Sequence, residues 1–347
     1  MILGQLIAFI LAKGVIGFSS LPSFNSGKTI CTHLKQSSIP TDATAPLVSA
    51  RVARIIAPVS SLSCLLFPSA SLAKSSSGGA FDQSIASFFP GSIPTTTVQL
   101  RVLSTLRKRE YRQYNTIMGT SLSGDEILNT PTSLVNQLKT KLLEAKDGGV
   151  YSLGGLGGIP FAGTAGMADL MSHVPTDGKL VLIYGPNIGI NKDGGVGSVE
   201  RIGKGGADET LISRTYHNIL AGNKSTGTGM NFEEDYIIEK MKSMNLKDYD
   251  QKGDNFAIAE VTNKLYALIS DLVGKQVEST ISSDPNFWSK LTEITLIGGV
   301  IVNRGHGSGT DGGDDFFQPL TMKALFKNGV ADLYDEVFGD LATRTPK

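Results

Sequence analysis

A short apolar run, KLVLIYGP from Lys179 to Pro186, is hemmed in by glycine on both sides, and this constrains the chain more than any other feature. Gly154, Gly155, Gly157 and Gly158 precede it, and Gly194, Gly195, Gly197, Gly203, Gly205 and Gly206 follow it. A continuous apolar run with β-branched members that stops at Gly-Pro predicts a parallel strand buried on both faces. Glycine at this density lets backbone approach backbone or a small ligand, because no Cβ intervenes. In an open α/β sheet the ligand crevice lies beyond the carboxyl ends of the strands, so the stretch around Gly185 and Asn187 is the expected site.

The same alternation extends along the chain. NTIMGTSL (115–122), VYSL (150–153) and EITLIGGVIVN (293–303) read as further strands. Helical spacing marks the stretch from Thr95 on, the one beginning at Thr130-Pro131, AGTAGMADLMSHV, DETLISRTYHNILAG, NFEEDYIIEKMKSM and NFAIAEVTNKLYALISDLVGKQVES. GVADLYDEVFGDL is expected to be a last amphipathic helix. The fold class that follows is α/β, a parallel-centred β-sheet flanked by helices.

The first 74 residues have a different character. Of the 32 basic and 32 acidic residues, six and one fall within residues 1–75, leaving 26 and 31 for the rest, a net of about −5. The opening apolar run is too short to span a bilayer and suits a signal sequence. A Ser/Thr/Ala-rich stretch with scattered basic residues follows, and then a second signal-like unit ending near Ser71 and Ala73. Stacked this way, residues 1–74 read as a multipartite plastid-targeting segment, leading to the stroma or the thylakoid lumen. The other reading of the stretch is a single membrane anchor. Residues 75–94 are expected to be a linker and residues 95–342 the folded domain, with no membrane span. A mildly acidic body argues against a nucleic-acid partner, which would need a basic face. Both cysteines, Cys31 and Cys64, lie in the leading segment, so the body can form no internal disulfide and offers a metal no thiolate.

Taken singly, the candidate chemistry is sparse. The turn at Gly154–Gly158 lacks the Lys-Ser/Thr pair of a P-loop, and Pro160-Phe161 interrupts the helix start, so it reads as a tight strand-to-helix connection. His173 sits near a helix end, His217 within a helix, and His306 in RGHGSGTDGGDD beside Asp311, Asp314 and Asp315, a loop that does not match EF-hand spacing.

Taken together, GTSLSGDEI, GGVYSLGGLGGIPFAGTAG, MSHVPTDGKLVLIYGPNIGI, GSVERIGK and ITLIGGVIVN resemble the limiting-CO2-inducible B/C family of algal plastid proteins, which have a β-carbonic-anhydrase-like fold. The resemblance runs from about Asn115 to Pro319. It implies a homo- or hetero-oligomer with related family members and a role in handling carbon dioxide and bicarbonate. Active members hold zinc through two cysteines and a histidine. The matching positions here are Ser123, Asn187, and Ile212 or Ser213, so the zinc expected of the family has no ligands. Asp125 keeps the acid of the motif, and Arg201 in VERIGK is its implied partner. With His173 and Gly185, these residues define an expected pocket for bicarbonate or another small oxyanion, contacted through glycine-rich backbone N–H groups.

Zinc lowers the pKa of water from 15.7 to about 7, worth roughly 12 kcal/mol towards hydroxide. A general base alone contributes on the order of 10²–10⁴-fold, so a Ser hydroxyl and an Asn amide cannot replace the metal. The expectation is a zinc-free, non-catalytic member. Against it stands an active carbonic anhydrase with another metal, held by Asp125, Asp169 and His173, and a scaffold that binds no ligand at all.

Overall fold

The computed structural model describes residues 79–341, without 126–127, 129, 145–148, 202–204, 223–230 and 306–312. The leading segment, both cysteines, His306 and Asp311 lie outside the described residues. In chain order the elements are α1 (Ala80–Phe88), β1 (Ile93–Pro94), α2 (Thr95–Lys108), β2 (Thr116–Ser121), α3 (Leu134–Leu142) and β3 (Tyr151–Ser152). A 3₁₀ turn at Leu156–Gly158 leads to α4 (Gly163–Ser172), β4 (Gly178–Tyr184), β5 (Asn187–Gly189), β6 (Ser198–Glu200) and β7 (Ala207–Glu209). Then come α5 (Leu211–Leu220), α6 (Phe232–Lys242), α7 (Leu246–Asp250), α8 (Asp254–Ser283) and α9 (Phe287–Lys290). The chain ends with β8 (Leu291–Asn303), β9 (Phe316–Phe326), β10 (Gly329–Asp332) and α10 (Tyr334–Phe338).

The main sheet runs β1-β9-β8-β4-β2-β3, with β10 on β9 and β5 on β8. Its centre is parallel: β2 pairs with β3 and β4, and β4 with β8. Around β9 the pairing is antiparallel. The expected parallel centre is therefore present, with an antiparallel edge that FFQPLTMKALF concealed, because Pro319 breaks an otherwise strand-like run.

Strand β4 explains the layering. Leu180, Leu182 and Tyr184 point into one core with α4, α5 and α8, while Val181 and Ile183 point into the other with α2, α3 and α10. All five side chains are at most 2% exposed, which is why the run is apolar throughout. Burying each such side chain is worth about 1.5–3 kcal/mol. Helix α8 is 30 residues long and packs one face on the sheet. Among the described residues no helix is long and apolar enough to cross a membrane.

At its carboxyl end β4 breaks. Gly185 adopts φ +147°, where a Cβ would lie 1.8 Å from the Gly299 carbonyl oxygen of β8. Beyond it β5 resumes beside the far half of β8, pairing Asn187 with Ile301. Gly158, at φ +83°, packs just as closely, since a Cβ there would come within 2.3 Å of the Gly185 oxygen. The glycines flanking KLVLIYGP thus serve backbone-to-backbone packing at the strand ends.

Three expectations need correction. Residues 80–94 are not a free linker: α1 buries Phe81 and Ile85, and its Ser84 hydroxyl donates to the Gly194 oxygen at 2.7 Å. The i, i+4 spacing of Phe81 and Ile85 was hidden by the Ser-rich surroundings. The helix expected from Pro131 begins instead at Leu134, where the Ser133 hydroxyl caps it by accepting from Asn136 N–H. GVADLYDEVFGDL is split between β10 and α10, because Val330 pairs with Leu325 of β9 before the helix begins.

Candidate functional site

A cleft of about 860 Å³ opens at the carboxyl ends of β2 and β3. Its walls are Ser123, Gly124 and Asp125 after β2, Gly154 to Leu156 after β3, Arg201 and Ala207–Glu209 on the small β6–β7 hairpin, Leu211 and Arg214 on α5, and Glu233 on α6. This is the crevice expected of a parallel sheet, one strand over from the KLVLIYGP stretch where the sequence placed it.

Asp125 and Arg201 meet across the cleft in a two-pronged ion pair. One guanidinium nitrogen donates to Oδ1 at 2.8 Å and the other to Oδ2 at 3.1 Å. The side chains are 14% and 18% exposed, so the pair is largely shielded from water. Arg201 Nε also lies 3.7 Å from the Asp208 carboxylate, a second ionic contact. The arginine that the resemblance supplied for Asp125 is thus in contact with it, brought there by a hairpin that the sequence did not announce as strands.

The remaining expected pocket residues part company. Ser123 lines the cleft. Asn187 does not; it is buried at the start of β5 with its amide directed at the Asn303 Oδ1, 3.5 Å away. Ser213 is buried behind the wall, its hydroxyl 3.4 Å from Glu209. Gly185 belongs to the β4–β8 contact. His173 caps the exposed end of α4, with Nδ1 2.8 Å from the Asp169 carbonyl oxygen, and neither residue lines the cleft. Among the described residues no group of three His, Cys, Asp or Glu is placed to hold a metal ion. In the loop after β8, Asp314 accepts from the Thr96 hydroxyl at 2.5 Å and Asp315 from Arg304 N–H at 3.1 Å, so both serve the fold.

Sequence reading missed Asp208, Glu209, Arg214 and Glu233. Glu209 lies 2.7 Å from His217 Nδ1, so that histidine is hydrogen-bonded to the cleft wall. Glu233 reads in the sequence as a first-turn acid of α6, suited to the helix dipole. In the structure its Oε2 also accepts from Leu156 N–H at 2.8 Å, joining two walls of the cleft. The glycine-turn donor expected to face an anion is occupied by the chain's own carboxylate. Altogether the cleft carries the carboxylates of Asp125, Asp208, Glu209 and Glu233 against the guanidinium groups of Arg201 and Arg214.

Comparison with known proteins agrees with this architecture. A search of curated proteins found no match. Among solved structures the chain is similar to PtLCIB4, described as a homolog of the limiting CO2-inducible protein LCIB, at 20% identity and a TM-score of 0.60, over 72% of this chain and 98% of that one. It is similar to LCIB itself at 17% identity and a TM-score of 0.50, over 71% and 95%. At such identities the likeness speaks for the fold. The family model for limiting CO2-inducible proteins B/C, the β carbonic anhydrases, matches residues 92–325, and the chain belongs to that family.

Proposed function

We propose that this protein is a zinc-free, non-catalytic member of its family, which serves inorganic-carbon handling in an algal plastid by binding a small oxyanion or by assembling with catalytic relatives. The observation that carries the proposal is the chemistry of the donor set. Where the family resemblance calls for two thiolates and an imidazole, this chain has the Ser123 hydroxyl, the Asn187 amide, and Ile212 or the Ser213 hydroxyl. A catalytic zinc is held by three protein ligands drawn from imidazole, thiolate and carboxylate. The nearest carboxylate, Asp125, has both oxygens on Arg201, and the Asn187 amide is turned away from the cleft towards Asn303. These residues do not fit zinc, and no step through a metal-bound hydroxide can be written for them.

What the cleft can do is hold charge in a fixed place. The Asp125–Arg201 pair keeps a guanidinium and a carboxylate oriented without any metal between them. The leading 74 residues support the plastid destination, stroma or thylakoid lumen.

The test is a stopped-flow assay of CO2 hydration with the purified protein, alone and with added zinc. The proposal expects the uncatalysed rate in both cases. Zinc-dependent acceleration that a chelator abolishes would refute it.

A further inference from the structure

We infer that Glu233 is a built-in anion that occupies the oxyanion position of the cleft, so that the cleft takes bicarbonate only when this carboxylate is displaced. The inference rests on the oxyanion-binding arm of the proposed function and names the residue that governs it.

Three observations converge. Leu156 N–H, in the wall of the cleft, donates to Glu233 Oε2 at 2.8 Å. The carboxylate lies directly on the glycine turn: a Cβ at Gly155 would stand 2.5 and 2.6 Å from its two oxygens, so only glycine there leaves room for it. Arg214, on the same wall, has no hydrogen bond or ion pair with any described residue, leaving one guanidinium uncommitted. A carboxylate and a bicarbonate ion share the same planar O–C–O group. The seat that holds one therefore offers the other the same backbone donor, with Arg214 within the same cleft. While Glu233 is seated, a second anion meets four carboxylates against two guanidinium groups and finds the donor taken.

The seat is also mechanically held. Phe161, just after the glycine turn, packs edge-on against Phe232 and Tyr236 of α6, with ring centroids 5.7 and 5.5 Å apart. These contacts clasp the first turn of α6 to the turn that Glu233 covers.

The experiment titrates the full chain with sodium bicarbonate, and with sodium formate as a second planar oxyanion, by isothermal calorimetry at constant ionic strength. Four proteins are compared: wild type, Glu233→Ala, Gly155→Ala and Glu234→Ala. Gly155→Ala keeps every charge and unseats the carboxylate by its Cβ; because Gly155 sits at φ −118° and ψ −143°, outside the regions L-residues favour, circular dichroism first establishes that this variant is folded. Glu234→Ala removes one acid from the same helical turn but not from the cleft. The inference expects bicarbonate to bind Glu233→Ala and Gly155→Ala roughly tenfold or more tightly than wild type, the worth of one charge-assisted hydrogen bond. Glu234→Ala should match wild type. If wild type binds bicarbonate as tightly as both variants, the inference is overturned while oxyanion binding stands. If none of the four binds bicarbonate or formate, both are overturned. Equal gains in Glu233→Ala and Glu234→Ala, without a gain in Gly155→Ala, would reduce the effect to net charge and overturn the inference alone.

Discussion

Arg201 embraces Asp125 with two parallel hydrogen bonds of 2.8 and 3.1 Å, joining the loop after β2 to the β6–β7 hairpin. The ion pair thus ties two walls of the cleft together. Removing one partner should cost more than removing both, because a lone charge is left poorly solvated. Arg201→Met and Asp125→Asn, singly and together, should give a coupling energy of about 1–2 kcal/mol in a urea-unfolding double-mutant cycle. A coupling near zero would mean that the pair does not hold the cleft.

The Gly185–Gly299 approach predicts a far larger effect. Gly185→Ala places a methyl group 1.8 Å from a carbonyl oxygen, at a backbone angle that L-residues avoid. Neither strand can give way without breaking the β4–β8 ladder. The variant should lose more than about 4 kcal/mol of stability, or fail to fold at all, as judged by circular dichroism. Gly124→Ala, with open space around the added methyl, is the matched control and should fold normally.

At the opposite end of the sheet, Glu293 on β8 accepts a paired hydrogen bond from Arg109 at 2.7 and 3.0 Å and another from the Tyr111 hydroxyl at 3.2 Å. Burial, reinforced by the Glu293 charge, pushes the Tyr111 hydroxyl well above the ordinary tyrosine range. A group whose folded pKa is raised contributes its full stabilisation below its unfolded value, near 10, and loses it as pH climbs from there towards the folded value. Above pH ~10 the wild type should therefore lose stability faster than Tyr111→Phe, by up to about 1.4 kcal/mol per pH unit. Parallel curves for the two proteins in urea titrations between pH 9 and 11 would contradict this.

The Arg101–Asp340 pair points the other way in pH. Hydrogen bonding from Arg101 holds the Asp340 carboxyl below its ordinary value. Its stabilisation is present above the unfolded pKa, near 4, and is lost as pH falls through the folded one. Asp340 is mostly exposed, so solvent screening limits the contribution to under about 1 kcal/mol. Asp340→Asn should lower the melting temperature by a few degrees or less at pH 7, and by progressively less as pH falls below about 4.

Much of this fold is legible in the sequence because the central strands are buried on both faces. KLVLIYGP and EITLIGGVIVN are apolar throughout, and that pattern has few other readings. The antiparallel edge was less visible: β9 carries Pro319, and β10 is four residues long and mostly exposed. Asp125 and Arg201 stand out through motif resemblance, but the cleft depends on which way side chains face. Asn187 follows a strand break that turns it towards Asn303, and Ser213 lies on the inward face of α5; a linear pattern encodes neither. Glu233 was out of reach for another reason. Its contact spans 77 residues, and nothing local distinguishes it from an ordinary first-turn acid.

The central claim of the proposed function is that the cleft keeps the Asp125–Arg201 pair but has no ligands for a metal. The most direct test is the zinc content of the full chain, purified without chelator, equilibrated with zinc and desalted, then measured by inductively coupled plasma mass spectrometry. The account predicts far less than one zinc per chain. One tightly held zinc per chain, lost together with chelator-sensitive CO2 hydration, would contradict it.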